Sequence, residues 1–179
     1  MRSQSLSLPS FDGNGMIRAL DEQRAAQGLD WNQLADELYA QSRVLNTELE
    51  DHAMCSGALV RTVRRGTMSC QYALISLRWI HRAPEEFLTG PRVDVGDVRL
   101  PDVGPGNRLR WDLNQLHAAL DEHRRARRLT WVALAAEMQC TPNRLTNLRT
   151  ARLADMDLTM RVTQRIARPA AEYVHAARW

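Results

Sequence analysis

One segment of the chain occurs twice, one hundred residues apart. Residues 11–38 align without a gap on residues 111–138, and 13 of the 28 aligned pairs are identical, against about two expected from ordinary residue usage. The identical pairs are Asp12/Asp112, Asn14/Asn114, Ala19/Ala119, Leu20/Leu120, Asp21/Asp121, Glu22/Glu122, Arg24/Arg124, Ala26/Ala126, Leu29/Leu129, Trp31/Trp131, Leu34/Leu134, Ala35/Ala135 and Glu37/Glu137. A repeat of this length indicates a duplicated folding unit, and two copies are too few for a solenoid. The sequence therefore predicts a tandem of two small domains.

The length and composition fit this prediction. Each half of the 179 residues is large enough to bury a core. No apolar run is long enough for a membrane helix, and residues 1–10 lack the features of a secretory signal, so we expect a cytoplasmic protein. The three cysteines, Cys55, Cys70 and Cys140, share no CxxC spacing and are expected to be reduced thiols. His52 and Cys55 stand three residues apart, but no second pair completes a zinc site.

Positive charge is concentrated in the second half. All 24 basic residues are arginines, and the formal net charge is +3. Residues 1–90 hold 9 Arg and 11 acidic residues (−2), residues 91–106 hold 2 and 3 (−1), and residues 107–179 hold 13 and 7 (+6). A compact unit of charge +6 attracts a polyanion, whereas its copy at −2 does not. A basic face that is only solvated is the alternative.

Glycine and proline residues separate the two copies. Their density between Thr89 and Asn107 prevents a helix and is typical of a linker. We predict a first domain over 1–90, a linker over 91–106 and a second domain over 107–179. The alternating Val93, Val95, Val98 and Leu100 leave a short strand in the linker as an alternative.

The second copy is predicted to form five short helices. Asp112 and Thr130 are suited to cap the first two, and Thr141, followed by Pro142, starts the third. Asp157 and Pro169 open the fourth and fifth. The basic run at residues 124–128 ends the first helix, where cations suit the helix dipole.

The segment from Leu129 to Arg149 resembles the helix-turn-helix of phage-repressor-like (Xre/Cro-type) DNA-binding domains, a likeness that spans Trp111 to Val174. In that family a small residue and Ser/Thr end the turn, as Cys140-Thr141 do here. Two aliphatic residues three apart, here Leu145 and Leu148, anchor the recognition helix. The fold class expected is all-α, with two tandem five-helix repressor-like helix-turn-helix domains joined by a Pro/Gly-rich linker.

Two residues depart from the family's pattern. Gln139 in the turn and Ala151 after the recognition helix stand where the family usually has glycine. Each costs about 1 kcal/mol if its backbone is left-handed.

The helix over residues 142–150 presents a polar face. With Leu145 and Leu148 turned inward, helical geometry directs the polar side chains outward. Asparagine pairs well with adenine and arginine with guanine in the major groove. The residues predicted to contact bases are Asn143, Arg144, Thr146, Asn147 and Thr150. The residues predicted to contact phosphates are Thr130, Thr141, Arg149 and Arg152. A polar face without a ligand is the alternative, and Trp31 and Trp131 are predicted to be core or rim aromatics.

The first copy departs further from the pattern. Fifteen extra residues within Tyr39–Met54 separate its second and third helices. The third helix, Ser56–Gly66, keeps Val60 and Val63 as expected anchors, and Arg61, Arg64 and Arg65 are predicted to contact phosphates. The next helix, Gln71–His81, is unusually apolar and is expected either to form core or to cover the other repeat or a second subunit.

A sequence-specific DNA-binding transcriptional regulator of a bacterial cell explains these features best. Its expected partner is double-stranded DNA, with a homodimer through the first domain as a further possibility, and it is expected on the nucleoid when bound. The alternative is a protein-interaction or dimerisation module that keeps the repressor fold without specific DNA binding. The sequence contains no Gly-rich phosphate loop, nucleophile elbow or paired-metal pattern, so no enzyme, cofactor, metal or small-molecule ligand is expected. The operator and the sign of regulation do not follow from the sequence.

Overall fold

The computed structural model describes residues 7–42, 56–65, 68–104, 107–149 and 154–178. In the first repeat the elements are β1 Ser10–Phe11, α1 Gly13–Ala26, α2 Trp31–Ser42, α3 Ser56–Arg65, α4 Cys70–Trp79, the 3-10 helix Pro84–Phe87 and β2 Leu88–Thr89. In the second they are β3 Asn107–Trp111, α5 Leu113–Ala126, α6 Trp131–Glu137, α7 Pro142–Asn147, α8 Met156–Arg165, the 3-10 helix Ala170–Tyr173 and β4 Val174–Arg178.

The expected all-α fold, with two five-helix domains, is wrong. Each described repeat has four α-helices, and the place of the fifth is taken by one 3-10 turn followed by a strand. The strand pairs antiparallel with the strand that begins the same repeat, β1 with β2 and β3 with β4. Pairing with a strand 63 to 79 residues earlier satisfies the backbone at the end of the repeat, which local helix signals do not reveal. The fold is therefore mixed, with helices and two small two-stranded sheets.

The residues between the repeats, 90–104, form no regular strand, so the alternative of a strand in the linker is not realised. Val93 N–H donates to the side-chain oxygen of Gln164 at 2.8 Å, and the Val103 carbonyl accepts from the Arg78 guanidinium at 3.1 Å. These bonds hold the segment against both repeats. The division into domains at 1–90, 91–106 and 107–179 stays a prediction.

Short polar side chains start the helices, as their sequence predicts. The carboxylates of Asp12 and Asp112 accept from backbone N–H groups three residues later at 2.8 Å, and Thr130 does the same at 3.1 Å. The prediction for α8 is two residues out, because Asp155 rather than Asp157 caps it, by accepting from Leu158 N–H at 2.8 Å. Each cap satisfies one of the N–H groups that a helix start leaves unpaired.

An arginine clamp explains why identity concentrates between helices one and two of each repeat. Arg124 donates to Asp121 at 2.8 Å and to the Leu129 carbonyl at 2.7 Å, and its guanidinium lies 4.9 Å from the ring centre of Trp131. The ion pair, the carbonyl bond and the cation–π contact fix the loop between α5 and α6. The first repeat forms the same clamp with Arg24, Asp21, Leu29 and Trp31. Trp31 and Trp131 are accordingly half-buried structural aromatics, as predicted.

Backbone bonds join the two repeats at the start of their fourth helices. Ser69, the cap of α4, and Asp155, the cap of α8, form an antiparallel bridge. Cys70 N–H donates to the Ala154 carbonyl at 3.0 Å, and Met156 N–H donates to the Met68 carbonyl at 3.2 Å. The two bonds are equivalent under an exchange of the repeats. We call this feature the cap bridge.

The apolar helix α4 covers the second repeat as well as the core of the first. It packs against α2, α8 and β3. Eight of its ten side chains are buried, Gln71 among them. Trp111 on β3 donates from its indole N–H to the Cys70 carbonyl at 2.9 Å. Of the roles expected from the sequence, α4 therefore both forms core and covers the other repeat.

Glu85 is a buried acid between the repeats. Its side chain is 8% exposed, and one carboxylate oxygen accepts from Ala170 N–H at 2.7 Å. Burial raises the pKa of Glu85 above its ordinary value of 4.5, more than the hydrogen bond lowers it. The folded chain therefore binds a proton here at a pH where the unfolded chain has released it.

We expect Glu85→Gln to flatten the pH dependence of stability. In the native chain the contribution of Glu85 to stability is complete below pH 4.5 and is lost as the pH rises through the raised pKa. Glutamine keeps an oxygen for Ala170 N–H and has no charge to desolvate. Urea unfolding from pH 4 to 8 measures this, with the exposed Glu22→Gln as control. An unchanged pH profile in Glu85→Gln would contradict the assignment.

We expect Arg128→Gly to stabilise the chain by about 1 kcal/mol, because Arg128 has a left-handed backbone with φ of +55°. The equivalent residue in the first repeat is Gly28, with φ of +70°. A Cβ at Gly28 meets no atom within 4 Å, so Gly28→Ala isolates the backbone term and is expected to cost about 1 kcal/mol. Thermal unfolding measures both, and a loss of stability in Arg128→Gly would refute the argument.

Candidate nucleic-acid interface

Two short helices of the second repeat, α6 and α7, pack against each other and are joined by a tight turn over residues 138–141. Gln139 has a left-handed backbone with φ of +51°. This is the geometry expected at a position where repressor-like domains usually have glycine. Gln139 and Cys140 N–H groups donate to the carbonyls of Ala136 and Ala135 at 3.1 and 3.0 Å. These bonds close the end of α6 and redirect the chain into α7.

The apolar residues of α7 face the core and its polar residues face solvent. Leu145 and Leu148 are 0% exposed, which confirms them as buried anchors. Asn143 and Asn147 are exposed and lie one helical turn apart, with exposed Thr146 beside them. The Thr146 hydroxyl donates to the Pro142 carbonyl at 3.3 Å. We call Asn143, Thr146 and Asn147 the polar face of α7.

Arg144 is drawn to one side of this face. Its guanidinium forms an ion pair with the carboxylate of Asp155, which raises the pKa of Arg144. Because Asp155 also belongs to the cap bridge, Arg144 lies between α7 and the junction of the repeats. Its charge is partly neutralised and its direction is fixed by that pair.

Three of the predicted phosphate contacts of the second repeat, Thr130, Thr141 and Arg149, are exposed and have different local roles. The Thr130 hydroxyl accepts the cap bond of α6, whereas Thr141 begins α7 without a side-chain cap bond. Arg149 follows α7 and donates to the Thr146 carbonyl at 3.5 Å. Among the described carboxylates none forms an ion pair with Arg149, so its charge is available at the end of α7. Thr150, Ala151 and Arg152 lie outside the described residues.

Sequence reasoning did not connect His117 with this surface. Its ring stacks on Trp131 with centroids 5.1 Å apart. Burial lowers the pKa of His117, and the charge of Arg149 lowers it further, while Asp121 opposes the shift. The sequence could have indicated a special role for His117, because it aligns on Ile17 of the first repeat. A polar ring therefore stands where the other repeat has a buried aliphatic side chain.

The third helix of the first repeat also carries exposed arginines. Leu59 anchors α3 with 0% exposure, and Arg61 and Arg65 are exposed. Arg61 donates to the Gly57 carbonyl at 3.2 Å. The side chains of Arg64, Val60 and Val63 are outside the part that the structure describes. Residues 43–55 are also outside it, and they include most of the Tyr39–Met54 insertion, His52 and Cys55.

Carboxylates neutralise most arginines on the rest of the second repeat. Asp121 binds Arg124 and Arg125, Glu137 binds Arg127 and Arg165, and further pairs join Arg161 to Asp157 and Arg168 to Glu172. Most of the positive charge in this repeat is therefore neutralised locally by these ion pairs. Arg149, which is in none of them, is a cation beside the polar face of α7.

Comparison with known proteins finds no matching family model, no matching curated protein and no matching solved structure. Within the described ranges, no helix is both long and apolar enough to cross a bilayer. The described residues also contain no group of three or more His, Cys, Asp or Glu side chains arranged to hold a metal ion.

We expect His117 to titrate below its ordinary pKa of 6.5 and to be neutral at pH 7. Arg149→Ala removes a nearby positive charge and is expected to raise the pKa of His117, though not to 6.5, since burial is the larger cause. NMR titration of the imidazole protons measures this. Arg110→Ala, a charge-matched change on β3, is the control. Equal pKa shifts of His117 in the two variants would show that Arg149 has no specific effect on His117.

Proposed function

We propose that the chain is a sequence-specific DNA-binding transcriptional regulator that recognises the major groove through α7. The observation that carries the proposal is the polar face of α7, held outward by the fully buried Leu145 and Leu148. A helix with its side chains is about 10–12 Å across and the major groove is about 12 Å wide. Asn143 and Asn147 supply the paired donor and acceptor that suit the N6 and N7 atoms of adenine.

The residues around α7 are suited to position it on the phosphate backbone. Thr130 and Thr141 are exposed at the starts of α6 and α7, and Arg149 is exposed at the end of α7. Such contacts fix register and orientation without specifying sequence. Arg144 is a weaker candidate for a base contact, because its guanidinium is bound to Asp155. A cytoplasmic location, on the nucleoid when bound, is part of this proposal.

Two observations favour a protein-interaction module without specific DNA binding. The first repeat has a net charge of −2, and carboxylates bind most arginines of the second. Salt separates the two functions, since contacts to several phosphates weaken steeply as salt rises. Binding that a fourfold rise in salt leaves unchanged would favour the interaction module.

We expect Asn143→Ala and Asn147→Ala each to cost about 1–3 kcal/mol on the preferred duplex and to relax preference at one base pair, with little change in salt dependence. Arg149→Ala is expected to weaken binding to all duplexes alike and to reduce the slope of log K against log salt by about one. Selection from random duplexes, followed by titration at several salt concentrations, measures both.

Asn114→Ala, an exposed asparagine on α5, is the matched control and should leave the selected sequence and the affinity unchanged. If Asn143→Ala and Asn147→Ala select the same sequence as the native chain, α7 does not recognise bases. If the native chain selects no duplex even in low salt, DNA recognition is the wrong function.

A further inference from the structure

The cap bridge relates the two repeats by a local two-fold axis. Ser69 and Asp155 occupy the same position in their repeats, since each caps the fourth helix with its side chain. Antiparallel pairing of two equivalent residues, with equivalent bonds from Cys70 to Ala154 and from Met156 to Met68, is what a two-fold axis requires. The repeats are thus arranged as the two halves of a symmetric dimer within one chain.

Side chains on either side of the axis repeat this relation. Gln71 lies two residues after its cap and donates from its amide to the Leu109 carbonyl on β3 at 3.0 Å. Asp157 lies two residues after its cap and accepts from Phe11 N–H on β1 at 2.9 Å. Each fourth helix therefore binds the first strand of the other repeat, so the pairing extends well beyond the cap bridge.

The axis runs beside the third helices. Arg144 on α7 contacts Asp155 at the cap bridge, and α3 ends four residues before Ser69. Points related by a two-fold axis lie at the same height along it. We therefore expect α3 and α7 on the same side of the molecule, one on each side of the axis. Matching Ser69 to Asp155 shifts the sequence alignment of the third helices by one residue. Leu59, rather than Val60, then matches the buried anchor Leu145, and Arg61 matches Asn147.

We propose that one chain binds two successive major grooves of a single DNA duplex, with α7 in one and α3 in the other. This inference rests on the proposed function of α7. Two-fold related recognition helices fit sites about one helical turn, or about 34 Å, apart. The path from Arg61 to Asn147 follows the backbone to Ser69, crosses the hydrogen bonds of the cap bridge and follows the backbone back from Asp155. Its length is at most about 50 Å, which allows a spacing of about 34 Å.

The two halves of the DNA site are unlike. On α7 the outward residues are Asn143, Thr146 and Asn147, which suit adenine. On α3 the exposed residues are Arg61 and Arg65, which suit guanine or phosphate oxygens. The proposed site is therefore about 20 base pairs long and non-palindromic, and one chain fills it.

The test uses the full chain and duplexes that it selects from a random region of about 30 base pairs. The expected complex contains one chain per duplex, by mass measurement, and hydroxyl-radical footprinting shows two protected segments about one turn apart. Two chains per duplex on an inverted repeat, or protection of one groove only, would overturn the inference while leaving α7 recognition intact. Selection of no duplex would instead refute the proposed function and this inference with it.

Variants assign each segment to one helix. Arg61→Ala combined with Arg65→Ala is expected to remove protection at one segment, weaken binding about tenfold at about 100 mM salt and reduce the salt slope by about two. Asn147→Ala is expected to alter the other segment. Arg92→Ala combined with Arg99→Ala changes the charge equally at exposed positions of 91–106 and should leave both segments protected. Equal effects of the two double variants would overturn the role of α3.

Spacing tests the rigidity of the pair in the native chain. Inserting five base pairs between the segments turns one groove to the opposite side of the duplex, and inserting ten restores the side but adds about 34 Å. Because the cap bridge fixes the repeats, both insertions are expected to reduce protection to one segment. Two-segment protection after the ten-base-pair insertion would show a flexible tether and overturn the fixed arrangement.

Discussion

The structure depends on the cap bridge, in which two backbone hydrogen bonds join the starts of the fourth helices. Cys70 and Met156 donate across the junction at 3.0 and 3.2 Å, so N–H groups that a helix start leaves unpaired are satisfied by the other repeat. The bridge also places the Asp155 carboxylate where it binds Arg144. The position of α7 is therefore linked to the junction between repeats as well as to the core of its own repeat.

Local signals predicted the parts of the fold that local physics controls. The caps at Asp112 and Thr130, the buried Leu145 and Leu148 and the left-handed Gln139 follow from residue type and helical spacing. The fifth helices were predicted wrongly, because Val174–Arg178 becomes a strand only by pairing with Asn107–Trp111. Strand formation of this kind is decided by a distant partner rather than by intrinsic preference.

The candidate site was predictable in outline and not in its electrostatics. The outward direction of Asn143 and Asn147 follows from the helical period. The pairing of Arg144 with Asp155 joins residues 11 positions apart in sequence, and the cap at Asp155 was itself assigned to Asp157. The docking of the repeats lay beyond sequence reasoning, since Gln71 and Asp157 are ordinary polar residues until the opposite strands approach them.

Because both halves of the cap bridge belong to one polypeptide, their pairing does not depend on the concentration of the protein. Separate subunits dissociate on dilution, so their paired fraction depends on abundance, whereas tethered halves meet at an effective concentration set by the chain itself. A molecule of this kind remains paired at a few copies per cell. At the proposed DNA site, its occupancy then rises hyperbolically with abundance, without the threshold that subunit assembly imposes.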